Sequence, residues 1–132
     1  MKNEEHLRNI KESLDIIEDS IKKGLLERQR NIGFNTSAAS VDMLEFFLHK
    51  KNLISHGFLI KHDWLNSKNK MEEKFPFEFE KKEEIFNLIS KIESKRNILC
   101  YGKQQKIEVI QEIIDNFNKL KEKFREVGLD EF

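Results

Sequence analysis

One cysteine, one proline and five glycines in 132 residues leave this chain few means of cross-linking itself or turning sharply. With Cys100 alone, an internal disulfide and a thiolate metal cluster are both excluded, and a lone thiol suits a reducing cytosol. An all-β domain needs turn residues every eight to twelve positions or so, and the shortage of breakers argues against it. No apolar segment follows Met1, and no run approaches the roughly 20 apolar residues of a membrane span. A charge of one sign is missing too: 24 basic residues balance 24 acidic ones. No whole-molecule field therefore draws in DNA or an anionic membrane, and any RNA contact must use a local patch. The expected setting is cytoplasmic.

What the chain does have is 38% hydrophobic and 36% charged residues, a balance suited to helices with one apolar stripe and a charged outer face. The expected fold is all-α, a compact bundle of four to six amphipathic helices forming one domain over residues 1–132. Leu7, Ile10, Leu14, Ile17 and Ile21 recur at spacings of three and four, which predicts a first helix from about Glu4 to Arg30. Asn31 to Asn35, with Gly33, reads as a break, and Asn35, Thr36 or Ser37 can cap a second helix. Phe75-Pro76-Phe77-Glu78-Phe79 alternates at period two and reads as an extended lid on the core. Ile85, Leu88, Ile89, Ile92 and Leu99 predict a third helix ending near Gly102. A fourth runs from about Gln104 to Val127. Its apolar arc is wide enough to require a central position or a dimer seam.

Two constellations carry candidate chemistry. Asp42, Glu45 and His49 share one face of the second helix. Asp42 and Glu45, with Glu112 and Asp115 of the fourth helix, are the candidate catalytic carboxylates, able to hold a hard divalent cation if the two helices converge. A solvated polar face is the plainer explanation of that spacing. The second is the run Lys95-Arg96-Asn97-Ile98-Leu99-Cys100-Tyr101-Gly102-Lys103. Lys95, Arg96, Asn97, Tyr101 and Lys103 offer cationic and stacking groups to a phosphate or an unstacked base. Basic residues there also suit a helix C-terminus without any ligand. His6, His49, His56 and His62 lack the spacing of a two-histidine zinc motif.

The segment from Ala38 to Ile54 resembles the signature helix of small ribonuclease III-type domains. Asp42, the basic pair Lys50-Lys51 and the aliphatic pair Leu53-Ile54 fall at matching places, and Lys82-Glu83-Glu84 through Lys95-Arg96-Asn97 is similar to a later stretch of that family. Val41 stands where the family has glycine. This resemblance implies RNA contact, Mg2+ as the cofactor and Asp42 as its ligand. Arg96-Asn97-Ile98-Leu99-Cys100-Tyr101-Gly102 is similar to the Arg-Asn…His motif of HEPN helical domains, often dimeric and metal-independent ribonucleases. Tyr101 stands where those domains have histidine. A phenol, with a reference pKa of about 10, is a poor general base near neutrality, so this resemblance implies binding rather than cutting. A homodimer is the expected assembly in either case. A helical interaction protein with no nucleic-acid role is the competing expectation, resting on the neutral charge and the wide fourth arc.

Overall fold

The computed structural model describes residues 1–132 and contains only helices and the segments between them: α1 (Asn3–Lys23), α2 (Gln29–Lys50), a 3₁₀ turn (His62–Asn66), α3 (Lys68–Lys74), α4 (Lys82–Ser94), α5 (Arg96–Tyr101) and α6 (Ile107–Glu126). The all-helical, single-domain expectation is met. Glu4 and Glu5 in the first turn of α1 and Lys22 and Lys23 in its last complement the helix dipole. Glu18–Lys22 and Asp19–Lys23 add exposed ion pairs at 3.4 and 3.1 Å.

The buried seam of α1 is His6, Ile10, Ser13, Ile17 and Ser20, which keeps Ile10 and Ile17 of the predicted stripe and replaces Leu7, Leu14 and Ile21 by the residues just before them. Leu7 and Leu14 are only partly buried and Ile21 is exposed. Two serines on the seam let α1 lie close along α2, where a stripe of large residues would hold the helices apart. The pair runs antiparallel: His6, near the start of α1, meets Asp42, late in α2.

The predicted boundary between the first two helices is corrected. α1 stops at Gly24, whose φ of +127° suits glycine. Asn31 to Asn35 lie inside α2, because their region's polar side chains bond back to their own helix instead of capping it. Asn35 Nδ2 donates to the Asn31 carbonyl at 2.8 Å, Thr36 Oγ1 to Ile32 at 2.7 Å and Ser40 Oγ to Thr36 at 2.6 Å. Gly33 sits where α5 crosses; a Cβ there would lie 2.7 Å from Leu99 Cβ.

α2 is the central helix, with Ile32, Ala39, Met43, Leu44, Phe47 and Leu48 almost wholly buried. Most of the wide arc of α6 is covered within the chain: Ile110, Ile113, Ile114, Phe117, Leu120 and Phe124 are buried, with α4 and α2 as neighbours, while Ile107 at its start is exposed. The segment Phe75–Phe79 does pack on the core as an extended stretch, with Phe75 buried and Phe79 5.2 Å from Phe47, ring to ring. Lys82 Nζ pins it, donating to the Phe75 and Phe77 carbonyls at 2.7 and 2.6 Å.

Candidate functional site

The face of α2 that carries Asp42, Glu45 and His49 is not solvated. It is covered by His6 from α1, a residue that sequence spacing alone does not connect to it. His6 Nδ1 lies 3.0 Å from Asp42 Oδ1, and His6 Nε2 lies 3.0 Å from Glu45 Oε2. The first contact has hydrogen-bond geometry. The second does not, so Nε2 remains a buried nitrogen without a hydrogen-bond partner. Glu45 is held from its other side, since the Ile60 N–H donates to Oε1 at 3.3 Å. The His49 ring is stacked between His6 and His56, with centroids 5.6 and 4.8 Å away. Its Nε2 is likewise buried and unpartnered. One donor atom from each of His6, Glu45 and His49 falls within 4.8 Å of the others.

Burial opposes a charge on His6, but the contacts with Asp42 and then Glu45 outweigh it and raise its pKa from 6.5 to about 9. His49 moves the other way: burial lowers it first, and the neighbouring His56 and His6 add to the effect. The two shifts give opposite pH limits. His6 binds its proton more tightly when folded, so its contribution is complete below pH 6.5 and is lost as pH rises from 6.5 through about 9. His49 binds its proton less tightly when folded, so stability falls as pH drops below 6.5. Denaturant unfolding in chelator is expected to show a stability maximum near neutrality. The alkaline limb should disappear in His6→Ala, and a flat profile in the unsubstituted protein would disprove the assignment.

Glu112 and Asp115 do not join this cluster. Both are exposed on α6, and Asp115 Oδ1 accepts a hydrogen bond from Gln111 at 2.9 Å. They occupy positions between the buried ones of that helix, so the packing that covers Ile110, Ile113 and Ile114 turns them outward.

At the other end of α2 the basic run is completed by residues from a different element. Arg96 lies over the Phe34 ring at 5.7 Å, and Arg30 over Phe34 and Tyr101 at 5.4 and 5.8 Å. Phe34 and Tyr101 meet edge to face at 5.5 Å. Tyr101 is 65% exposed, and Asn97 and Lys103 are exposed as well, while Lys95 and Arg96 are half-buried. Gln29, the first residue of α2, holds the loop after α5. Its Nε2 donates to the Leu99 and Lys103 carbonyls at 3.3 and 3.2 Å, and its Oε1 accepts from Gln104 Nε2 and the Gln105 N–H at 2.8 and 2.7 Å. An open groove of about 400 Å³ lies there, lined in part by Leu26, Arg30, Tyr101 and Gln104. Gln29, Arg30 and Phe34 fall at or near the mistaken helix break, which is why sequence reading passed over them.

A third polar group looks superficially catalytic. Ser37 Oγ donates to Glu93 Oε1 at 2.7 Å, and His62 Nδ1 lies 3.0 Å from both Glu93 oxygens. Ser37 Oγ also lies 3.2 Å from His62 Nδ1, but that nitrogen faces the Glu93 carboxylate as a donor and the serine proton is directed at the same carboxylate, so His62 does not act as a base toward Ser37 here. The group ties α2, α4 and the 3₁₀ turn together.

No protein-family model matches the chain, and comparisons with curated proteins and with solved structures also find no match.

Proposed function

We propose that this chain is a small helical RNA-contacting domain that binds through the surface formed by Arg30, Phe34, Arg96 and Tyr101, with Lys95, Asn97 and Lys103 at its margin. The observation that carries this reading is the pair of guanidinium groups resting on an aromatic pair beside an open groove. Guanidinium groups suit phosphate oxygens, and an exposed ring such as Tyr101 suits an unstacked base. Both the ribonuclease III-type and the HEPN resemblances point to RNA, and the second has its motif on this surface. The proposed activity is binding. Two-metal hydrolysis needs converging carboxylates, and Glu112 and Asp115 are turned away from Asp42 and Glu45, so a Mg2+ site built from these four acids is not part of the reading.

The test is fluorescence anisotropy with a labelled single-stranded RNA at low salt, where phosphate contacts are strongest. The double substitution Arg30→Ala/Arg96→Ala is expected to weaken binding at least about tenfold and to flatten the salt dependence by about one unit of slope per lost phosphate contact. Tyr101→Ala should cost about 1–3 kcal/mol if a base stacks there. Absence of binding by the unsubstituted protein, or binding indifferent to both arginines, would sink the proposal. A second reading, a homodimeric interaction protein, draws on the exposed Leu26, Ile98 and Ile107 on the elements around the same end of α2. Concentration-dependent sedimentation, abolished by Ile98→Asp but unaffected by RNA, would favour it.

A further inference from the structure

The pairing of His6 with Asp42 is satisfied as an ordinary hydrogen bond, but it leaves the other half of the cluster unexplained. His49 is 7% exposed and His6 only 1%; His49 Nε2 has no hydrogen-bond partner, and His6 Nε2 has only its 3.0 Å ion contact with Glu45. Buried polar atoms are rarely left in that condition. The two imidazoles also share a carboxylate neighbour, and one donor atom from each of His6, Glu45 and His49 lies within 4.8 Å of the others. We propose that His6, Glu45 and His49 form a binding site for a first-row transition ion of the zinc type, with Asp42 as the residue that orients His6.

The chemistry of the donor set selects the ion. Two imidazoles and a carboxylate suit zinc and its neighbours, whereas Mg2+ prefers an all-oxygen shell. Tetrahedral coordination at about 2.1 Å places donor atoms about 3.4 Å apart. The His6 Nε2 to Glu45 Oε2 separation of 3.0 Å therefore has to open slightly. The other donors need only draw inward from a spread of at most 4.8 Å.

The supporting contacts are also in place. Asp42 takes the Nδ1–H of His6 at 3.0 Å, so Nε2 is the nitrogen left to coordinate, the ion displacing to solvent the proton that Nε2 otherwise holds against Glu45, and the Ile60 N–H holds Glu45 by the oxygen that does not face His6. Three protein ligands leave one tetrahedral position over. The site joins the start of α1 to the end of α2. It lies far from the proposed RNA surface, because Arg30 and His49 are separated by about 28 Å of helix at 1.5 Å per residue. Failure of one proposal leaves the other standing.

The full chain, stripped with a chelator, would be titrated with Zn2+ by calorimetry and with Co2+ by visible absorption. One equivalent per chain is expected, with the intense ligand-field bands of a tetrahedral Co2+ site, and a large excess of Mg2+ should not displace it. His49→Phe keeps a ring stacked between His6 and His56 while removing the donor nitrogen. It should fold, as followed by far-UV circular dichroism, and lose at least about tenfold in affinity. Asp42→Asn should lose about 10- to 100-fold, as is usual for a residue that orients a ligand. Glu112→Gln/Asp115→Asn, at two exposed positions of α6 outside the cluster, controls for adventitious surface binding and should bind as the unsubstituted protein does. If His49→Phe does not fold, His49→Gln gives the same reading. No stoichiometric uptake by the folded chain, or uptake unchanged by the His49 substitution, overturns the site.

Discussion

His6→Ala is expected to destabilise the metal-free protein by about 3–5 kcal/mol, the usual result of removing one partner from a buried ion pair. The reason is what remains behind. Asp42 and Glu45 are one helical turn apart, with side chains 19% and 11% exposed, and His6 is the basic side chain that lies against both. Without it, two poorly solvated carboxylates face each other across the hole left by an imidazole. Chemical denaturation in chelator at about pH 6 measures the loss at full effect, since the His6 contribution is complete below its unfolded-state pKa of 6.5. Replacing His6, Asp42 and Glu45 together by apolar residues of similar volume should recover much of the loss, as buried ionic groups are often dispensable once all are removed. A loss below about 1 kcal/mol for the single substitution would show that water reaches the carboxylates and that the cluster does not hold α1 to α2.

Phe47→Ala should cost a similar amount, about 3–5 kcal/mol, for a different reason. The Phe47 ring is 1% exposed and lies 5.2 Å from the Phe79 ring and 5.8 Å from that of Phe124. It is therefore the point at which α2, the extended Phe75–Phe79 segment and α6 meet. Truncation leaves a cavity that three elements would have to close at once, which rigid helices do poorly. The loss should appear as a lowered denaturant midpoint with an unchanged slope. RNA binding at temperatures where the variant stays folded should be unaffected, because Phe47 lies about 25 Å along α2 from Arg30. An effect on binding in the fully folded variant would mean that the two ends of α2 are coupled.

Much of the fold was legible because helical periodicity is a local property. The apolar spacing of three and four that marks the fourth predicted helix reappears in α6, where Ile110, Ile114, Phe117 and Phe124 are buried and only Ile107, at the helix start, is exposed, and the aromatic run around Pro76 packs as an extended segment. Helix boundaries were less legible. Asn31, Asn35, Thr36 and Ser37 are good caps and good loop residues, but within a helix their side chains can bond to their own carbonyls, and packing of α5 against Gly33 favours the continuous helix. The α1 seam keeps Ile10 and Ile17 but buries Ser13 and Ser20 in place of Leu14 and Ile21, because close approach to α2 favours small residues over larger ones, a preference that depends on the neighbour and not on α1 itself.

The candidate sites divide along the same line. The amino-acid sequence alone determined that Asp42, Glu45 and His49 share a face, because residues three and four apart always do in a helix, and that Arg96, Tyr101 and Lys103 form a basic aromatic run. Only the tertiary structure decided what those faces meet. His6 is 36 positions from Asp42, Arg30 and Phe34 are more than 60 from the residues they flank, and Glu112 and Asp115 turn outward when α6 buries its other face. Pairings of that kind follow from how helices pack, and a periodic pattern specifies a buried face without specifying which partner will cover it.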